Sequence, residues 1–304
     1  MNAVRGPESP PRLRDSGGSR RLIVNGDDFG LAPVVNRGIL RAHREGILRC
    51  ASLLVAAPAA AEAVDMARAT PTLEVGLHLA LVQGQATSAR RSIAGLVDGE
   101  GRFRNAPIPA GVAFFFRPRL RRAIAVEIRS QLEAFQATGL ALSHVDGHLN
   151  MHLHPVALDV LADLAFEFRI PAFRLARDPL IGNLRFDPAH AARKTSENAA
   201  FRALSRRAER RLAARGVVFA DRLFGLHQSG RCDESYLLDV IHRLPRGVSE
   251  LYAHPAEEHT AELERLMPGY RHGDELAALV SPAVRRAVED TGLALATWRD
   301  LVRG

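Results

Sequence analysis

The chain has 304 residues, 47% of them hydrophobic and 25% charged, enough apolar content to bury a large core in one α/β domain or two small ones. Its 41 basic residues against 34 acidic ones leave a formal charge of +7, and Lys194 is the sole lysine, so the excess is carried by arginine. The arginines are spread along the chain without an RNP motif or zinc finger, which argues against nucleic acid as a partner. Two distant cysteines, Cys50 and Cys232, lack CxxC spacing and read as buried thiols of a reducing compartment.

Residues 1–20 are rich in Pro, Gly, Ser and Arg and contain no apolar h-region. They read as a disordered tail rather than a signal peptide, which puts the ordered domain at 21–304. The longest apolar stretches are short and interrupted by proline, so a cytoplasmic protein without a membrane span is expected. Arg21 to Asn25 is a β-branched run that stops at Gly26-Asp27-Asp28-Phe29-Gly30, a buried strand entering an acidic loop. Pro33 to Glu45 then carries Val35, Ile39, Leu40 and Ala42 at helical spacing, with Pro33 suited to the first turn and Gly46 to the stop.

The alternation recurs. Strands are expected at 48–56, 74–79, 140–145, 172–175, 223–226, 249–253 and 293–296, and helices at 59–69, 119–137, 155–168, 189–215 and 233–243. Between about residues 82 and 117 the rhythm breaks into Gly, Pro and Arg around Phe114-Phe115-Phe116, which suggests an insertion or lid. Strands and helices alternating at this frequency predict a single α/β domain whose parallel sheet closes, wholly or in part, into a barrel.

In such folds functional groups gather at the carboxyl ends of the strands, where the loops converge. Here the first strand ends on Asp27-Asp28, the third on His78, the fourth on Asp146 and His148, and a late one on His254. Two histidines and a carboxylate on one rim match a divalent-metal site with open positions for water and substrate. Each piece alone has a plainer reading: paired aspartates cap helices, and a histidine inside Gly-Leu-His-Leu suits a core. Residues 144, 146, 148, 152 and 154 share one parity, so an extended chain would line them up as either a site or a solvated edge strand. His227, His242, His259 and His272 fit no pattern and are expected at the surface. Arg117–Arg122 and Arg202–Arg215 read as solvated helix faces, although the first, following the phenylalanines, also suits an interface with lipid over 114–122.

Taken together, Asn-Gly-Asp-Asp-Phe-Gly, Gly-Leu-His-Leu, Ser-His-Val-Asp-Gly-His and Tyr-Ala-His-Pro, in this order from Arg21 onward, resemble the YdjC-like carbohydrate deacetylases. Gly-His-Leu-Asn-Met-His-Leu-His-Pro is most similar to the branch associated with hopanoid biosynthesis. The resemblance implies a distorted (β/α) TIM-like barrel, one divalent ion (zinc or magnesium) and hydrolysis of the N-acetyl group of an amino sugar. It implies Asp27 as general base, Asp28, His78 and His148 as metal ligands, and His254 as the acid. Arg174, near the base, His152 and Phe29 are the implied substrate-binding residues; Asn150 stands where many relatives carry histidine. The branch implies an N-acetylglucosaminyl hopanoid as substrate, with chito-oligosaccharides or another soluble glycan as the alternative. It also gives 114–122 a purpose as a peripheral contact at the inner membrane face, and leaves a homo-oligomer open.

Overall fold

The computed structural model describes residues 18–303, so most of the expected tail lies outside the described residues. Its centre is β1 (Arg20–Phe29), whose Leu22-Ile23-Val24 run is fully buried, as a strand covered on both faces of a parallel sheet requires. β2 (Cys50–Leu53), β3 (Glu74–Leu79), β4 (Val145–Gly147), β5 (Arg222–Phe224), β6 (Gly247–Ala253) and β7 (Ala294–Ala296) complete the sheet among the described residues. The order is β4-β3-β2-β1-β6-β5 and the pairs are parallel. One edge of β1 pairs with β6 from Arg20 to Gly26; the other takes β7 at Arg21–Ile23 and then β2 from Asn25 onward.

The ladders therefore describe a parallel arc rather than a closed ring. Between β4 and β5 the expected strand at 172–175 is reduced to single bridges, Val145 to Phe173 and Ala172 to Val218. The expected strand at 140–145 also shifts toward its carboxyl end, to Val145–Gly147, with 140–144 irregular.

Alternation along the strands sorts residues between the two faces of the arc. Leu22 and Val24 join the large core beneath the helices, whereas Ile23, Cys50, Ala172, Ala220 and Val248 pack around Trp298 in a second, smaller core on the concave side. The next residues of the concave parity are Asn25, Ser52, Arg174 and Glu250, all buried and polar. The concave side is thus apolar at the amino end of the strands and polar at the carboxyl end.

Residues 82–117 form a covering segment built of turns, isolated bridges and the helix Pro107–Phe116. It is fastened to the long helix Pro118–Ala137, whose Glu127 carboxylate accepts from Thr87 N at 2.9 Å and Ser88 N at 3.0 Å. The expectation of an extended stretch from 144 to 154 is overturned. After Gly147 the chain coils into short 3₁₀ turns, with Leu149 and Asn150 in the left-handed region at φ 50° and 55°. Their shared parity therefore has no structural meaning beyond Asp146. Asparagine tolerates that conformation better than most residues.

The helix Pro33–Glu45 approaches the chain after β6 so closely that a Cβ on Gly38 would lie 2.7 Å from Ala256 Cα and 2.8 Å from Pro255 O. Gly38→Ala is expected to cost about 1–3 kcal/mol in denaturant titration. Gly273→Ala, in a helix and with open space around the added carbon, should be neutral or stabilise by about 0.5–1 kcal/mol.

Candidate active site

Neighbouring residues of an extended strand point to opposite faces, so Asp27 and Asp28 share one site only if the chain turns between them. It does so at Asp28 itself, which adopts φ 63° beside an irregularity in the β1–β2 register. For a residue with a side chain this conformation costs about 1–3 kcal/mol and persists where its surroundings enforce it. Here Leu31 N donates to Asp28 O, Leu54 N to Phe29 O, and Gly30 N to the buried Asn36 side chain at 2.7 Å.

The turn brings Asp28 against two imidazoles. Its Oδ1 lies 2.9 Å from His148 Nδ1 and 3.3 Å from His78 Nε2, and one ligand atom from each of the three residues fits within 4.8 Å of the others. Asp28 Oδ2 is buried without a hydrogen-bond partner. His78 lies opposite Asp146 in the β3–β4 register, and its Nδ1 bonds the Asp146 carboxylate at 2.8 Å, leaving Nε2 to face Asp28. A carboxylate behind a histidine in this way sets the tautomer and orientation that a metal ligand needs. The donor set therefore fits a divalent ion. Burial opposes ionisation of Asp28, but His148 and His78 outweigh it and hold the carboxyl well below its usual range. Burial likewise opposes charging of His78, yet Asp146 and Asp28 raise it to about 10.

Arg174, 1% exposed, organises the carboxylates behind this set. Its Nη1 and Nη2 donate to the two oxygens of Asp27 at 2.6 and 2.8 Å, its Nε donates to Glu250 at 2.8 Å, and Nη2 lies 2.8 Å from Asp146. The guanidinium stacks 4.7 Å above the Tyr252 ring. Asn25 donates to Asp27 and to Ser52, and Ser52 donates to Asp146, which closes the network. Burial pushes Glu250 up to about 7 against the pull of Arg174.

His254 follows β6 on the same rim. Burial pushes it down to about 4 although Asp28 and Asp27 draw it upward, so it is neutral at pH 7. Its backbone N–H donates to Glu275, its carbonyl accepts from His272, and its Nδ1, without a hydrogen bond, lies 3.8 Å from the Glu275 carboxylate.

The structure thus gathers Asp27, Asp28, His78, His148, Arg174 and His254. It moves other residues away from the substrate side. Phe29 is fully enclosed in the main core, and His152 is fully enclosed too, with Nε2 on Arg174 O at 3.1 Å. Both are therefore buried rather than exposed to the cleft, and the turns after Gly147 carry His152 toward Arg174. Arg174 is likewise buried, with its guanidinium on Asp27. His272 is buried against His254, and the His227 side chain is 1% exposed, so only His242 and His259 of the four expected surface histidines lie outside. Asp146, Glu250, Asn25 and Ser52 lacked an assigned role in the sequence reading. Their signal is parity: buried polar residues on the concave face of otherwise apolar strands.

A buried imidazole–carboxylate set at the carboxyl rim of a parallel sheet defines an α/β protein with a group of side chains spaced so that they could hold a metal ion. The chain belongs to the YdjC-like protein family, which matches residues 21–290. Over 151 residues it is 42% identical to a protein of Brevibacillus brevis named carbohydrate deacetylase, in an alignment covering 50% of this chain and 58% of the relative. A Vibrio vulnificus protein of the same name is 38% identical over 151 residues, 50% of this chain and 57% of that one. The chain thus spans little more than half the length of these curated relatives. A solved structure from Enterococcus faecalis V583, described as a putative cellobiose-phosphate cleavage protein, superposes with a TM-score of 0.70 over 93% of this chain and 99% of that one. At 24% identity this establishes a shared fold.

Removing Arg174 would leave buried carboxylates uncompensated. Arg174→Met is expected to cost about 3–5 kcal/mol in denaturant titration, and lysine, without the fork, should not restore it. The carboxyl of Glu250, raised to about 7 from an ordinary 4.5, binds its proton more tightly when folded. Its stabilising contribution is complete below pH 4.5 and is lost as pH rises through 7. Glu250→Gln should flatten that part of the stability–pH curve; an unchanged slope would assign it to another group.

Proposed function

We propose that the protein is a metal-dependent deacetylase that hydrolyses the N-acetyl group of an amino sugar. The observation that carries this reading is the buried Asp28–His78–His148 set with Asp27 beside it, and the names of the relatives supply the substrate class. Asp28, His78 and His148 hold one divalent ion. Two imidazoles and one carboxylate favour zinc or a similar ion over magnesium, which prefers oxygen. When bound, the ion supplies Lewis acidity, polarising the acetamide carbonyl and making water a better nucleophile near neutral pH.

Asp27 is the general base. The Arg174 fork fixes the plane of its carboxylate and thereby aims its remaining lone pairs, so it takes the proton of the attacking water without reorienting. His254 is neutral at rest and must be charged within the cycle before it can protonate the departing nitrogen; Asp28 and Asp27 favour that charge. Asp27 releases the water's proton to solvent and His254 draws one from solvent to give to nitrogen, so water and acetamide become acetic acid and free amine and both side chains return to their starting charge.

The cleft beside His78 and His148 is lined by Leu31, Leu54, Val55, Leu266 and Met267. Such walls suit a substrate with an apolar portion, which favours a lipid-linked amino sugar. With the resemblance around Gly147 to Pro155, this points to the N-acetylglucosaminyl head group of a hopanoid, met at the inner membrane face of the cytoplasm; a chito-oligosaccharide is the soluble alternative. The arc of strands, together with the bridges through 172–173 and 218, is read as a distorted (β/α) barrel.

Acetate release from N-acetylglucosaminyl lipid and from chito-oligosaccharides, by metal-loaded and chelated protein, tests the reading. Metal-dependent release from at least one is expected; none from either sinks it. Asp27→Asn should retain metal by elemental analysis while turnover falls about 10²–10⁴-fold, whereas His148→Ala should lose both metal and turnover.

A further inference from the structure

The helix Pro107–Phe116 turns Ala110 and Phe114 inward, with Phe114 against His154 at 5.6 Å between ring centroids. Its other side carries Ile108, Val112, Phe115 and Phe116, which are 79%, 54%, 54% and 73% exposed. At helical spacing these four fall within an arc of roughly 100°, opposite the buried pair. Arg104, Arg117, Arg119, Arg121 and Arg122 flank the helix in the sequence, all exposed and none with an acidic partner among the described residues. Between Gly101 and Val126 the sequence contains no aspartate or glutamate.

We propose that this helix is a docking face for an anionic lipid bilayer. The four apolar side chains enter the boundary between head groups and acyl chains, and the arginines around them meet lipid phosphates. Charge selects this occupant. A second copy docked through the same face would set five arginines against five, and a polyanion in water would gain nothing from Ile108 and Val112. No helix among the described residues is long and apolar enough to cross a membrane, so the contact is peripheral.

Docking here places the catalytic rim beside the membrane. Gly111 O contacts His154 Nε2 at 3.1 Å, which ties the helix to the turns carrying His148, and Leu149 on those turns is itself 40% exposed. The inference stands on the surface alone and does not require the deacetylase reading.

Co-sedimentation of the full chain with vesicles of equal parts phosphatidylglycerol and phosphatidylcholine, against phosphatidylcholine alone, tests it. Binding is expected to the anionic vesicles and to weaken with salt. Phe115→Ser/Phe116→Ser should lower partitioning at least ~10-fold, and Arg119→Gln/Arg122→Gln about 25-fold, with circular dichroism unchanged because these side chains are outside the core. Equal sedimentation with neutral vesicles, or no loss in either variant, overturns the proposal. So does a dimer that Phe115→Ser/Phe116→Ser dissociates, or binding to single-stranded oligonucleotide without binding to vesicles.

Discussion

One guanidinium holds the centre of this molecule together. Arg174 neutralises Asp27, Asp146 and Glu250 where water cannot, and its planar fork does so with direction as well as charge. Asp146 in turn fixes His78, and His78 faces Asp28, so the geometry of the rim traces back to one buried arginine. The arrangement is demanding: every member of a buried polar network must be satisfied for the network to be tolerable. Asn25 and Ser52 add donors to Asp27 and Asp146, while Asn25 Oδ1 and Glu250 Oε2 are left without a hydrogen-bond partner.

Electrostatics also explains why the adjacent carboxylates differ. Asp28 faces imidazoles on the open side of the rim, and Asp27 is clamped by arginine from behind. Identical side chains one residue apart therefore acquire different environments through a single left-handed backbone step at Asp28. The strain is local, and the hydrogen bonds to Asn36 and between Phe29 and Leu54 hold the loop in place.

Much of this was legible in the residues. Apolar runs located β1, β3 and β6, helical spacing located Pro118–Ala137 closely, and the carboxyl-end rule gathered the histidines and aspartates of the rim. Strand 172–175 was overcalled because its backbone bonds are single bridges, too few for a ladder. His152 and Phe29, implied as substrate contacts by the resemblance, are both buried, and local pattern does not reveal that the chain after Gly147 coils. His272 was missed since its burial is created by the neighbouring His254 chain, a contact that spacing cannot express. Glu250 was passed over as one polar residue in a strand, although its parity with Tyr252 and His254 marks the concave face.

The pairing of β1 bears on how the chain is made. Its two edges are completed by β6, which begins at Gly247, and by β7, which begins at Ala294. β1 therefore precedes by more than two hundred residues the segments that complete its edges, and Trp298, which packs in the concave core, lies further along the chain still. Such long-range closure slows folding and keeps apolar strand edges exposed during synthesis.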